Sequence, residues 1–256
     1  MLEPRHVRTW HAELMAGHLG EVSVAKCYRL LRSILNTAVE DGLLQRNPCQ
    51  IEGAGSERSP ERSIPTIAQV AAVSEALPPR FAAVPWVAAL GALRKGELFG
   101  LARRHVDLDR ATLRVERALQ EQTGRGAVLK APKTRSSGRT VGMPGRLVVI
   151  LADHLDAYVD EGPEAFVFSN SHGGPVRATV WHEAWSTARE ASGLRQLRLH
   201  DLRHLAGTLT AQAGATTKET MDRLGHSTSD AALRYQHVVE ERRHHVAVEI
   251  DRLVGE

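Results

Sequence analysis

The sequence predicts a mainly α-helical (α+β) protein, with a small helical piece followed by a larger domain whose helices flank a small antiparallel sheet. Three observations carry this. Helical apolar spacing dominates both ends of the chain, β-type alternation is confined to the middle, and a Gly/Ser/Pro-rich stretch sets residues 1–52 apart from the rest.

In the front piece, "SVAKCYRLLRSILNTAVEDGLLQRNP" is the clearest helix. Ser23 stands where a cap belongs, and Val24, Cys27, Leu31, Ile34, Leu35 and Ala38 recur at helical spacing. Lys26, Arg29 and Arg32 follow one another at intervals of three along another face. That strip reads either as a solvated charged face or as a surface laid against phosphates. Residues 53–65, "GAGSERSPERSIP", have no apolar period and read as a linker.

The larger domain, 66–256, opens with Thr66 and Gln69 in capping-box register. Helices are expected at about 67–77 and 80–90, then on "LRKGELFGL". "HVDLDRATLRVER" reads as strand, turn, strand, and "AVLKAPKTRSSGRTVGMP" as two more strands around a basic Ser/Gly turn. Helices return from Pro144, interrupted by a short strand "FVFS" and the turn "SHGG". The last stretch, 178–254, is expected to be helical with breaks at Gly193, Gly214 and Gly225.

Composition narrows the function classes. The 256 residues are 42% hydrophobic and 25% charged, as in soluble globular proteins. No run approaches the roughly 20 apolar residues of a membrane span, and "MLEPRHVRTW" lacks a signal peptide's apolar region. Two cysteines, Cys27 and Cys49, make no disulfide framework, which points to a reducing, cytoplasmic location. A pI of 9.1 beside a net charge of only +3 gives a weak signal for a polyanionic partner.

The chemistry concentrates in "HDLRHLAGTLT", residues 200–210. The stretch nearly matches the zinc-protease pattern H-E-x-x-H-x-x-G-x-x-H, with His200, His204 and Gly207 in place. Asp201 and Thr210, however, replace the general base and the third ligand. Arg203 would also oppose a dication. A phosphate suits the same residues better. His200 and Arg203 lie one helical turn apart near a helix start, where free N–H groups and a planar guanidinium match phosphate oxygens.

Three other segments join it in order: "LGALRKGEL" with Arg94, "KAPKTRSSGRT" with Lys133, and "RLGHSTSDAALRYQH" with His226 and Tyr235. This ordered set, over roughly 60–245, resembles the catalytic domain of the tyrosine recombinases of the phage-integrase family. The resemblance implies catalytic roles for Arg94, Lys133, His200, Arg203, His226 and Tyr235, with Lys130 as the rival for the lysine's place. The family's "TGLR" stands here as Gly91-Ala92-Leu93-Arg94. The front piece is similar to the end of that family's core-binding domain, and the resemblance implies an N-terminally shortened chain.

The implied reaction needs neither metal nor cofactor. Tyr235 would attack a DNA phosphate to form a 3′-phosphotyrosyl link. Arg94, Arg203 and His226 would hold the phosphoryl oxygens, and Lys133 would protonate the departing 5′ oxygen. His200 would take the tyrosine's proton or orient the site. Double-stranded DNA attachment sites are the implied partner, contacted also by Lys26, Arg29, Arg32, Arg135 and Arg139. The tail from Val239 would pack on its own domain or dock on a neighbouring copy within a tetramer. Nine residues at ~100° each would put His226 and Tyr235 on opposite sides of one helix, so "GHSTSD" must interrupt it. Three other readings compete: a recombination-defective DNA-binding remnant, a type IB topoisomerase and a zinc hydrolase.

Overall fold

The computed structural model describes residues 2–57, 63–122, 126–130 and 138–225. The chain divides into two compact units, Met1–Ser63 and Ile64–Glu256. No described helix is long and apolar enough to cross a membrane.

The first unit is a pair of helices, α1 (Pro4–Ala16) and α2 (Glu21–Glu40), closed by the segment that follows α2. Gly20, not Ser23, precedes α2, and the Ser23 amide already donates to the Gly20 carbonyl at 2.8 Å. Val24, Tyr28 and Leu35 are buried, but Ile34 is 56% exposed, so the buried stripe is rotated from the expected one. Tyr28 is the reason. Its ring meets Val7, Leu35 and Cys49 in the core, while its hydroxyl accepts from the Ile51 amide at 2.8 Å and donates to the Ile51 carbonyl. A buried phenol with both hydrogen-bonding roles filled ties the returning segment to the helix.

The second unit starts with α3 (Ile67–Glu75), capped as its sequence predicts. The Gln69 amide donates to Thr66 Oγ1 at 3.2 Å, and the Thr66 amide to Gln69 Oε1 at 2.9 Å. A 3₁₀ turn, Pro79–Phe81, leads into α4 (Ala83–Gly91). This helix, "AVPWVAALG", is apolar on every side and almost wholly buried, as such a helix must be. It packs against α3, α6 (Gly145–Tyr158) and α8 (Leu199–Gln212). The short α5 (Lys95–Gly100) follows, while α7 (Ala178–Ala191) adds Trp181 and Trp185 to the core and α9 (Thr217–Leu224) is the last described helix.

The strands depart from the expected pairing. β1 (Val106–Asp107), β2 (Thr112–Val115) and β5 (Arg139–Gly142) form an antiparallel sheet in the order β1-β2-β5. β4 (Gly126–Lys130) pairs instead with β3 (Ala118–Gln122), an additional strand that the sequence does not announce. "FVFS" forms only isolated bridges, Ala102 with Phe166 and Ser169 with Pro175.

The β3–β4 hairpin lies on α5 because α5 offers no side chain there. A Cβ on Gly96 would stand 2.9 Å from the Leu119 carbonyl oxygen, and one on Gly100 would stand 3.0 Å from the Leu119 amide nitrogen. Both obstacles are backbone, so neither can swing away. Gly96→Ala with Gly100→Ala should therefore cost about 2 kcal/mol in denaturant unfolding, the usual scale of overpacking. The control is Gly145→Ala, where the new methyl meets nothing within 4 Å. Equal midpoints for the two proteins would refute the close-packing explanation.

Two buried histidines make the fold acid-sensitive. Burial pushes the pKa of His154 below its ordinary value, although its Nε2 lies 2.7 Å from the Val167 carbonyl. Burial, then Arg104 and Arg117, does the same for His105. Below about pH 6.5 the unfolded chain binds protons that these folded rings refuse, so their contribution is complete above that pH and lost as pH falls. The unfolding midpoint should hold steady above neutrality and decline on acidification, with a shallower decline in His154→Gln. A midpoint flat down to about pH 5 would overturn this.

Candidate active site

The site is built at the corner between α4 and α5. Ala92 turns the chain there with φ +58°, and Arg94 follows in extended conformation as the residue that precedes α5. Glu97 reaches back from the first turn of that helix. Its carboxylate accepts from the Arg94 amide at 2.8 Å and from the Arg94 guanidinium at 2.9 Å. This is the register of a capping box, with an acid three residues in.

Glu97 does more than cap. It is 6% exposed, and Arg139, the first residue of β5, donates to both of its oxygens at 3.1 and 2.9 Å. Arg203, from the second turn of α8, brings Nη1 within 4.0 Å of the same carboxylate. Burial alone would raise the Glu97 pKa. The hydrogen bond and charge of Arg139, then the hydrogen bonds of Arg94, outweigh it and hold the carboxyl below its ordinary value.

Among the described residues three guanidinium groups surround one carboxylate, and helix ends take part of the positive charge. The Ala92 carbonyl, just past α4, accepts from Arg203 and from Arg139 at 3.3 Å. At the end of α9, the Arg223 carbonyl accepts from Arg139 at 3.0 Å, the Leu224 carbonyl from Arg203, and the Gly225 carbonyl from Arg94 at 2.6 Å. These carbonyls lack partners inside their own helices and carry the negative end of the helix dipole, so cations suit them. Arg203 is 2% exposed and lies inside the cluster, whereas the Arg94 side chain is 40% exposed and forms its solvent side.

His200 stands one turn before Arg203 on α8, its ring edge-on to His204 at 4.6 Å. Partial burial, then His204 and Arg203, pushes its pKa below the ordinary value, with Asp201 opposing. The shift favours the neutral imidazole, the form that can accept a proton. The residues that evoke a zinc site have backbone duties. Asp201 Oδ2 accepts from the Arg198 amide at 2.8 Å, and Thr210 Oγ1 donates to the Ala206 carbonyl at 2.7 Å.

The structure thus brings together Arg94, His200 and Arg203. Lys133, Arg135, His226 and Tyr235 lie outside the described residues, as does the C-terminal tail expected to dock on a neighbour. The break expected at Gly225 is present, with φ +59° directly after α9. Lys130 ends β4 and is exposed. On α2, Lys26, Arg29 and Arg32 are exposed as the sequence predicts, although Arg29 is engaged by Glu57 and the Gly55 carbonyl. Arg139, expected on DNA, has a side chain only 6% exposed and turned onto Glu97. Sequence reading missed Glu97 as the hub, although its position three residues after Arg94 was a usable signal.

Comparison with known proteins agrees with this architecture. The solved structure of the Tn1549 transposon integrase in complex with transposon right end DNA superposes with a TM-score of 0.80, covering 99% of this chain and 86% of that one at 19% identity. At that identity the likeness concerns the fold. The integrase of prophage phiRv2 from Mycobacterium tuberculosis H37Rv is 36% identical over 255 residues, 98% of this chain and 67% of the relative. The integrase of Mycobacterium phage L5 is 35% identical over 257 residues, 98% of this chain and 68% of the relative. Residues 61–242 match the phage integrase family model, and the chain belongs to that family.

Proposed function

We propose that this protein is a site-specific DNA recombinase that cleaves and rejoins DNA through a 3′-phosphotyrosyl intermediate, with Tyr235 as nucleophile. The observation that carries the reading is the Arg94–Arg203–Arg139 cluster: a largely buried site with, among the described residues, more guanidinium than carboxylate and with Arg94 at its solvent side. Such a site is completed by an anion, and the planar fork of arginine fits phosphate oxygens. The Tn1549 integrase was solved on transposon DNA, which supports double-stranded DNA as the source of that phosphate.

The chemistry follows from charge. A free phenol with a pKa of about 10 is only ~0.1% ionised near neutrality, so nearby cations must favour the phenolate. Arg94 and Arg203 would neutralise the non-bridging oxygens as negative charge builds up on them, with His226 adding a hydrogen bond. His200, whose surroundings favour the neutral ring, is suited to accept the tyrosine proton or to orient the nucleophile. Lys133 would protonate the leaving 5′ oxygen. The bond energy stays in the phosphotyrosyl link, so rejoining by a 5′ hydroxyl consumes no nucleotide and involves no metal.

The direct test is a denaturant-resistant protein–DNA adduct formed with fragmented host and phage DNA in the presence of EDTA. The wild type should give an adduct and Tyr235→Phe none. Arg94→Ala should bind DNA but form adduct about 10²-fold more slowly, the scale of one lost transition-state donor. DNA binding without any wild-type adduct would instead support the DNA-binding remnant.

A further inference from the structure

Arg139 is a basic residue on a strand, yet its guanidinium is turned into the protein and its donors are shared among three elements. Nε binds the Arg223 carbonyl at the end of α9, Nη1 binds Glu97 on α5, and Nη2 binds both Glu97 and the Ala92 carbonyl after α4. α9 answers in kind. Arg223 Nη1 donates to the Gly142 carbonyl of β5 at 3.0 Å, and its Nη2 to the Leu90 carbonyl of α4 at 2.6 Å. The end of α9 is shaped around this guanidinium. A Cβ on Gly225 would lie 2.9 Å from Arg139 Nη1 and 3.2 Å from its Cζ.

We propose that Arg139 is a positioning residue for strand cleavage, acting through Glu97 and the end of α9 without touching the DNA. The inference rests on the recombinase reading above. Two physical effects combine. Arg139 competes with Arg94 for the Glu97 carboxylate. Without it the Glu97 carboxylate would be left to Arg94 and Arg203, with Arg94 more fully neutralised by it and less available to a phosphate. Arg139 also sets the end of α9, and the next residue in the chain after Gly225 is His226. A lysine cannot replace it, since one ammonium cannot meet a carboxylate and two carbonyls in the plane of a fork.

The test uses the full chain and the DNA fragments that the wild type captures. Arg139→Ala should retain DNA binding in a gel shift, with adduct formation slowed about 10²-fold, as for a small misplacement of catalytic groups. Millimolar guanidinium chloride should then recover about 10-fold of the rate, with no recovery from equal sodium chloride. Millimolar guanidinium is far below denaturing concentrations and leaves folding stability almost unchanged, so a merely unstable variant would not regain activity. Adduct formation at the wild-type rate, or a slowed rate that guanidinium does not restore, overturns the proposal. Where Arg139→Ala fails to fold, Arg139→Lys decides: a rate reduced about 10-fold or more with binding intact supports positioning, and a wild-type rate refutes it. Absence of any adduct from the wild type would sink the recombinase reading itself, a separate outcome.

Discussion

The Glu97 carboxylate is the anchor of the functional half of this molecule. Removing a charge from water costs several kcal/mol unless partners replace the lost hydration. Here both oxygens are bonded, to the Arg94 amide and guanidinium and to both arms of Arg139, with Arg203 close by. Those partners come from α5, β5 and α8, elements separated by about forty to a hundred residues of chain. A buried ion-pair cluster of this kind is weak evidence for stability. What it does is tie three distant elements to one acid.

Helix ends make the excess of positive charge tolerable. α4 and α9 both finish at the cluster and present unpaired carbonyls to it, so two helix dipoles supply negative potential where a second carboxylate would otherwise be needed. The distinction matters for an anion receptor. A second carboxylate would neutralise the arginines outright, whereas dipoles orient them and leave net charge available. The same logic explains why Arg94, bound to one carboxylate and one carbonyl, still keeps a large exposed fraction.

Much of this was legible in the sequence because local chemistry announced it. The capping box at Thr66, the run of apolar residues in α4 and the chain reversal at Gly225 rest on rules that act within a few residues. The failures are non-local. β3 carries "ALQEQ", whose alternation is poor, and it becomes a strand because α5 offers glycines against which its backbone can lie. Ile34 sits on an apolar stripe yet is exposed, while Tyr28 is buried with its hydroxyl bonded to a distant segment. Arg139 reads as a surface cation because nothing near it in the chain reveals the acid forty-two positions earlier.

Ala92 shows how the site accommodates a residue that its backbone geometry disfavours. The turn into Arg94 requires φ near +58°, where a Cβ costs roughly 1–2 kcal/mol relative to glycine. The methyl is not idle, however. It is fully buried against Ala206, Ala211 and Leu224, a cluster linking α4 to α8 and α9, and burying one such group returns about 0.8 kcal/mol. The Ala92 carbonyl meanwhile receives two guanidinium donors that the turn alone brings within reach. Packing offsets much of the steric penalty, and the hydrogen bonds to Arg203 and Arg139 hold the turn that presents Arg94.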